Sequence, residues 1–197
     1  MAAMLDKVQK KEDLEEYAVV LDYLPTGRSY SAKSEPIVQL VGENKFTLLE
    51  AVPKTNDIKI GERVYIGKGE RDKIAIIKGR LNYNELSEGA RNELVIAVYG
   101  IIKGNETRFV EVFNNASPLN IRMHALELLP GIGKRHLSAI LEAREDKKFE
   151  SFEDITKRVS LLQDPIKLLA DRVIEELKGD SRFYMLTRPA ATPHQRF

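Results

Sequence analysis

With 197 residues, 43% hydrophobic and 31% charged, the chain can build one large domain or two small ones, each with its own core. Thirty-one Lys and Arg stand against thirty Asp and Glu, a formal net charge of +1, which excludes a uniformly basic or acidic molecule and makes any electrostatic footprint local. The absence of cysteine excludes disulfides, thiolate metal sites and thiol nucleophiles. No segment approaches the roughly 18 uninterrupted apolar residues of a membrane span, and residues 1–11 lack the apolar core of a secretory signal. The expectation is a soluble, cytoplasmic protein without a membrane segment.

Residues 1–16 are highly charged with scattered apolar positions and read as a loose or weakly helical arm. From Tyr17 onward, runs rich in Val, Ile, Leu and Tyr at 17–24, 37–41, 45–51, 63–67 and 73–81 are separated by turn residues such as Pro25-Thr26-Gly27 and Gly42-Glu43-Asn44. Five short strands at hairpin spacing predict a small OB-like β-barrel over 17–81. Residues 82–117 form a helical connector: Leu86, Ala90, Leu94, Ala97, Val98, Ile101 and Ile102 make a helical stripe, Gly104-Asn105 ends it, and Phe109, Val110, Val112 and Phe113 suggest a second short helix.

Residues 118–179 read as an all-helical domain. Ser117-Pro118 is a helix start signal, predicting a helix to about Leu128. Pro130 to Gly133 break it, and a second helix follows over 134–145. Ser151, three residues before Asp154, opens a short helix to Arg158. Asp164-Pro165 opens the last, which carries Leu168, Leu169, Val173, Ile174 and Leu177 and closes at Lys178-Gly179. Residues 180–197 form a basic tail. The fold class is α+β.

The sharpest signal is Leu129-Pro130-Gly131-Ile132-Gly133 followed by Lys134, Arg135 and His136. Two glycines let a bend take positive φ and bring its backbone within hydrogen-bond reach of a phosphate, which the N-terminus of the next helix also faces. Ile132 is expected to turn inward, and Leu129, Leu137, Ile140 and Leu141 to pack the two helices. Lys134 and Arg135 sit in a first helical turn, where the helix dipole disfavours cations, so a phosphate would offset a local cost. The bland alternative is a structural cap or a surface for protein contact.

The stretch 126–144 resembles the helix-hairpin-helix family of nucleic-acid-binding modules over nearly its whole motif. It departs at Leu137, where the family usually has a small residue, which implies wider helix packing. Lys148-Phe149-Glu150-Ser151-Phe152-Glu153-Asp154-Ile155 resembles the segment that follows such hairpins in paired domains. The resemblance implies a second hairpin at 160–164 that has lost its glycines and keeps only a packing role. As a whole, an OB-like barrel joined through helices to this module resembles an uncharacterised archaeal family, domain of unknown function 655, with no assigned reaction.

Smaller windows supply the missing charge. Residues 54–80 hold eight cations against four acids, and 181–197 hold three arginines and no acid. If the barrel binds single strands by stacking bases in a cationic groove, Arg63, Tyr65, Lys68, Arg71, Lys73 and Lys78 are the candidate contacts, with Tyr30, Arg28 and Lys33 in a loop. The bland reading is a packed tyrosine and solvated edge lysines. Arg182, Phe183, Tyr184, Arg188 and Arg196 give the tail a similar but weaker claim.

Only His124, His136 and His194 occur, without obvious carboxylate partners, so no metal site or cofactor is expected. Nucleotide-hydrolase and dinucleotide fingerprints are not found. Asp146 and Asp154 fall where hairpin-containing glycosylases carry a catalytic Asp, but they read better as a loop residue and a cap. The sequence therefore predicts binding of DNA or RNA through the sugar-phosphate backbone without sequence preference, with single-strand or RNA contacts from the barrel. The alternatives are a nucleic-acid-processing enzyme with an unrecognised carboxylate site, and a protein-interaction adaptor in a ribonucleoprotein or repair complex.

Overall fold

The expected strands follow one another as β1 (Tyr17–Leu24), β2 (Ile37–Gly42), β3 (Leu48–Pro53), β4 (Arg63–Tyr65) and β5 (Ile74–Arg80). These come from a computed structural model that describes residues 14–28, 35–179 and 181–189. The strands form one antiparallel sheet in the order β4-β1-β2-β3-β5, curled into a half-barrel whose edge strands β4 and β5 are not paired with each other. Register follows from alternation: Val20 opposes Leu40, and Leu40 opposes Leu49. Ala18, Val20, Val38, Leu40, Leu49, Ala51, Val64 and Ile74 thereby fill one face as a buried core. Tyr30 and Lys33, read above as loop contacts, lie outside the described residues.

Strand β2 is buried throughout, so its other face is covered too. There Gln39 donates to the Glu85 carbonyl (3.2 Å) and accepts from the Ser87 amide (2.9 Å), tying the sheet to the start of the next helix. Strand β3 begins later than the hydrophobic run suggests. The Glu15 carboxylate accepts the amides of Asn44 (2.6 Å), Lys45 (2.9 Å) and Thr47 (3.1 Å), and Phe46 takes φ +51°, so the 43–47 segment is a turn and not a ladder. The last residues of the expected loose arm are thus built into the sheet.

The helices are α1 (Glu88–Gly104), α2 (Glu106–Asn115), α3 (Lys134–Asp146), α4 (Phe152–Arg158) and α5 (Pro165–Lys178), which with the sheet make an α+β fold. Ser151 caps α4 by accepting the Asp154 amide at 3.0 Å, and Asp164 caps α5 by accepting the Ile166 amide at 2.9 Å. No helix among the described residues is long and apolar enough to cross a membrane.

The helix expected from Pro118 to Leu128 does not form. In its place are the short antiparallel pair β6 (Pro118–Asn120) and β7 (Met123–His124) and a 3-10 turn, Ala125–Leu128. Asn120 explains the difference: its side-chain oxygen takes the Arg122 amide at 2.8 Å, a local bond that competes with helix. The Ser117 carbonyl accepts the Ala125 amide (3.0 Å), closing a hairpin and not starting a helix.

The chain divides into two compact units, residues 1–97 with 176–197, and residues 98–175. The first holds the sheet. Within it the buried Glu176 carboxylate accepts the amides of Met185 (2.8 Å), Leu186 (3.0 Å) and Thr187 (2.8 Å), so part of the expected tail is fastened by a carboxylate seated on three backbone donors.

The second unit packs Phe109, Phe113, Leu126, Leu129, Ile132, Ile140, Phe149, Ile155, Val159 and Leu168 as its core. Two arginines stop its helices: Arg144 donates to the carbonyls of Phe113, Asn114 and Ala116 at the end of α2, and Arg158 donates to those of Ala143 and Lys147 at the end of α3. Buried Asn114 exchanges two hydrogen bonds with the Phe149 backbone, at 3.0 and 2.9 Å. Replacing Asn114 by Ala leaves a buried amide and a buried carbonyl unpaired, and is expected to cost roughly 2–3 kcal/mol in chemical denaturation; a loss under about 0.5 kcal/mol would show that water replaces the pair.

Candidate nucleic-acid interface

The bend between the 3-10 turn and α3 is built by a short turn of backbone. The Ile132 amide donates to the Leu129 carbonyl at 3.0 Å, with Pro130 and Gly131 at its two central positions. Gly131 has φ +89°, the value such a turn demands of its third residue and one that glycine takes without strain. Leu129 and Ile132 are buried, as expected of a packed hairpin, and so are Leu137 and Ile140; Leu141 is only half-buried.

Gly133 departs from expectation. It has φ −97°, ordinary extended backbone, and serves as the N-terminal cap of α3 without any capping side chain. A Cβ added there would meet no atom within 4 Å, so the fold does not itself require glycine at this position. Gly131, Gly133, Lys134 and Arg135 are all exposed. Their amides meet no acceptor among the described residues, because the first intrahelical bond of α3 is Leu137 to the Gly133 carbonyl (2.9 Å). What results is an open row of main-chain donors at the positive end of a 13-residue helix.

The side chains around it divide into two kinds. Lys134, 72% exposed, turns its ammonium back to Glu127 (2.8 Å) and the Arg122 carbonyl (3.3 Å), so its charge is already partly matched. His136 donates from Nδ1 to the Gly131 carbonyl at 3.1 Å and braces the bend. Arg135 and the Arg122 guanidinium have no carboxylate partner among the described residues and are exposed. Arg122 was not among the sequence candidates, since nothing in the predicted helix placed it beside the bend.

His124 and Glu127 fix the approach to the bend. The buried His124 ring accepts the Leu126 amide at 3.1 Å, and Glu127 accepts the His124 amide at 2.8 Å, a reciprocal cap of the 3-10 turn. The spacing of three between the two residues is the signal that could have revealed it. Hydrogen bonding from the His124 amide and then from Lys134 holds the Glu127 carboxyl below its usual value. Burial, reinforced by the Arg144 cation, pushes His124 below its ordinary 6.5, with Glu127 acting weakly against the shift. His124 is therefore a neutral acceptor in the folded chain.

In the sheet unit the candidate cations are largely spoken for. Arg63 forms a two-pronged pair with Glu43 (2.7 and 3.0 Å) and lies over the Tyr17 ring; Lys73 pairs with Glu62 (2.6 Å); and Lys78 pairs with Glu35 (2.5 Å). Arg28, from the loop, pairs with Glu50 at 2.7 Å. Tyr65 is half-buried: its ring stands edge-on to Tyr17, and its hydroxyl accepts the Gly69 amide at 3.0 Å. Lys68 and Arg71 remain without a carboxylate among the described residues. Together with Lys54, Gly69, Ile74 and Ala75 they line an open groove. Arg71 and Lys54 brace it through the carbonyls of Gly67 (2.8 Å) and Arg71 (3.1 Å). Asp154 is engaged by Arg158 (3.1 Å) and the Glu150 amide, the capping environment expected of it.

Because protonation turns His124 from acceptor to donor, the stability its cap contributes is fully present above the unfolded value of about 6.5, declines below it and is gone once pH has fallen through the lower value of the folded chain. The protection of the Leu126 amide against hydrogen exchange should decline from pH 6.5 downward in the parent chain and stay level in His124→Asn, which keeps an acceptor at the cap. A parent profile flat to pH 5 would remove His124 from this role.

The family model described as "Protein of unknown function (DUF655)" matches residues 14–188. The "Uncharacterized protein MJ0038" of Methanocaldococcus jannaschii is 45% identical over 186 residues, covering 92% of this chain and 84% of that protein. The crystal structure of Af1531 from Archaeoglobus fulgidus, titled as a member of the same family, aligns with a TM-score of 0.82 at 43% identity over 88% of this chain and 100% of that one. The match spans the sheet and both bends of the helical unit, and the chain belongs to the DUF655 family.

Proposed function

We propose that the helical unit is a paired helix-hairpin-helix module that binds nucleic acid through its sugar-phosphate backbone without sequence preference. The observation that carries this reading is the row of unpaired amides at Gly131, Gly133, Lys134 and Arg135, exposed at the start of α3 beside the cations of Arg122 and Arg135. A phosphate oxygen is the group that such donors and a helix N-terminus hold best. The second bend supports the pairing. There the Leu162 amide donates to the Val159 carbonyl (3.4 Å) and Leu161 takes φ +63°, repeating the closure of Ile132 on Leu129 around Gly131.

The groove of Lys54, Lys68 and Arg71 is proposed as a separate set of phosphate contacts. It offers charge without a stacking ring, so it favours backbone over base and does not select single strands.

Two substitutions test the reading. Gly133→Asp places a capping carboxylate where the phosphate would sit; it should raise stability by a few tenths to about 1 kcal/mol while weakening binding of a 20-nucleotide duplex on the order of tenfold or more. Arg135→Ala should leave stability unchanged and lower the slope of log affinity against log salt by about one. Unaltered binding by both variants, in a chain that does bind nucleic acid, would move the contact elsewhere. No binding by the parent chain to DNA or RNA at low salt would end the proposal.

A further inference from the structure

Two side chains beside the bend are placed where burial gives them nothing. Leu161 is 91% exposed and has φ +63°, a backbone region that leucine enters only against a steric penalty and glycine enters freely. Ile121 is fully exposed at the tip of the β6–β7 hairpin, with Leu119 and Met123 partly exposed beside it. Neither position can be explained by the core.

Residues next to each of them come close to the bend. The Arg122 carbonyl, next to Ile121, is 3.3 Å from the Lys134 ammonium. Gln163, two residues beyond Leu161, is 3.9 Å from where a Cβ on Gly131 would lie, and Leu168 is 3.7 Å from it. Residues 117–124 carry Arg122 and no acid, and neither Arg122 nor Arg135 has a carboxylate partner among the described residues. The hairpin tip therefore offers an apolar side chain beside an unmatched cation, and an acidic polymer with apolar, stackable interiors is a nucleic-acid duplex.

We infer that Leu161 and Ile121 are wedges that enter between base pairs of a duplex from the minor groove, while the amides and Arg135 hold the flanking phosphates. This rests on the backbone-binding reading above and adds to it the substrate class: a duplex that can be unstacked and bent. Exposed aliphatic residues flanked by phosphate-binding groups are the means by which minor-groove proteins unstack a step, the cost being repaid by the contacts the bend allows. The strain at Leu161 then has a reason in the complex that it lacks in the free chain.

The test uses the full-length chain with a 20-base-pair duplex carrying 2-aminopurine at a central step and dyes at its ends. The parent should raise 2-aminopurine fluorescence and shorten the end-to-end distance. Leu161→Gly should melt at or a few degrees above the parent, since it relieves the positive φ. It should lose the fluorescence rise and bind the duplex about three- to tenfold more weakly, with an unchanged salt slope because no charge is removed. Ile121→Ser, at a fully exposed position, should show the same loss of signal without a change in melting. If the parent binds the duplex and both variants unstack and bend it as the parent does, the wedge is overturned while backbone binding stands. If the parent binds no nucleic acid, both readings fail together. Duplex binding by the parent without any unstacking also overturns the wedge, and would point to Leu161 and Ile121 as a protein-contact surface.

Discussion

The helical unit depends on one short hydrogen bond of backbone, from the Ile132 amide to the Leu129 carbonyl, closed around a glycine at φ +89°. That bond turns the chain sharply enough for Leu129 and Ile132 both to be buried while the atoms between and after them stay in solvent. Apolar burial on one side of the bend and unpaired amides on the other are the same event seen from two faces. His136 braces the Gly131 carbonyl, and the His124 and Glu127 cap aims the preceding turn, so the donors are held before any ligand arrives.

Charge is organised by pairing and not by amount. The chain has almost no net charge, and four of its sheet-unit cations meet a carboxylate: Arg28 with Glu50, Arg63 with Glu43, Lys73 with Glu62, Lys78 with Glu35. In the helical unit Arg144 and Arg158 are consumed by helix C-terminal carbonyls. What is left over is more informative than the total. Lys54, Lys68 and Arg71 gather along one groove, and Arg122 and Arg135 flank the bend. Local field, not global charge, is what an anionic polymer would meet.

The two bends of the helical unit share a closure but not a chemistry. At the first, glycine relieves the backbone and leaves the amides open; at the second, leucine occupies the same kind of backbone position and exposes an aliphatic chain. A degenerate second hairpin, which is how its lack of glycine reads in sequence, would be expected to bury its leucine.

Much of this was legible in the residues. Alternating Val, Ile and Leu fix strands because a pleated sheet buries every second side chain, and Ser151, Asp164 and the Pro-Gly pair mark helix ends because their chemistry is local. Ile132 facing inward and Gly131 turning were readable for the same reason. Partners distant in sequence were not. Glu43 meets Arg63, Tyr17 meets Tyr65, and Arg122 meets Lys134 only after the chain has folded. The helix expected after Pro118 failed because an asparagine bond and a Ser117–Ala125 closure outweighed a weak local preference. The sequence by itself determined periodicity, caps and the bend, which depend on neighbours along the chain. Tertiary structure alone decided which cations stay unpaired and which amides stay open, because pairing depends on distances that sequence separation does not encode.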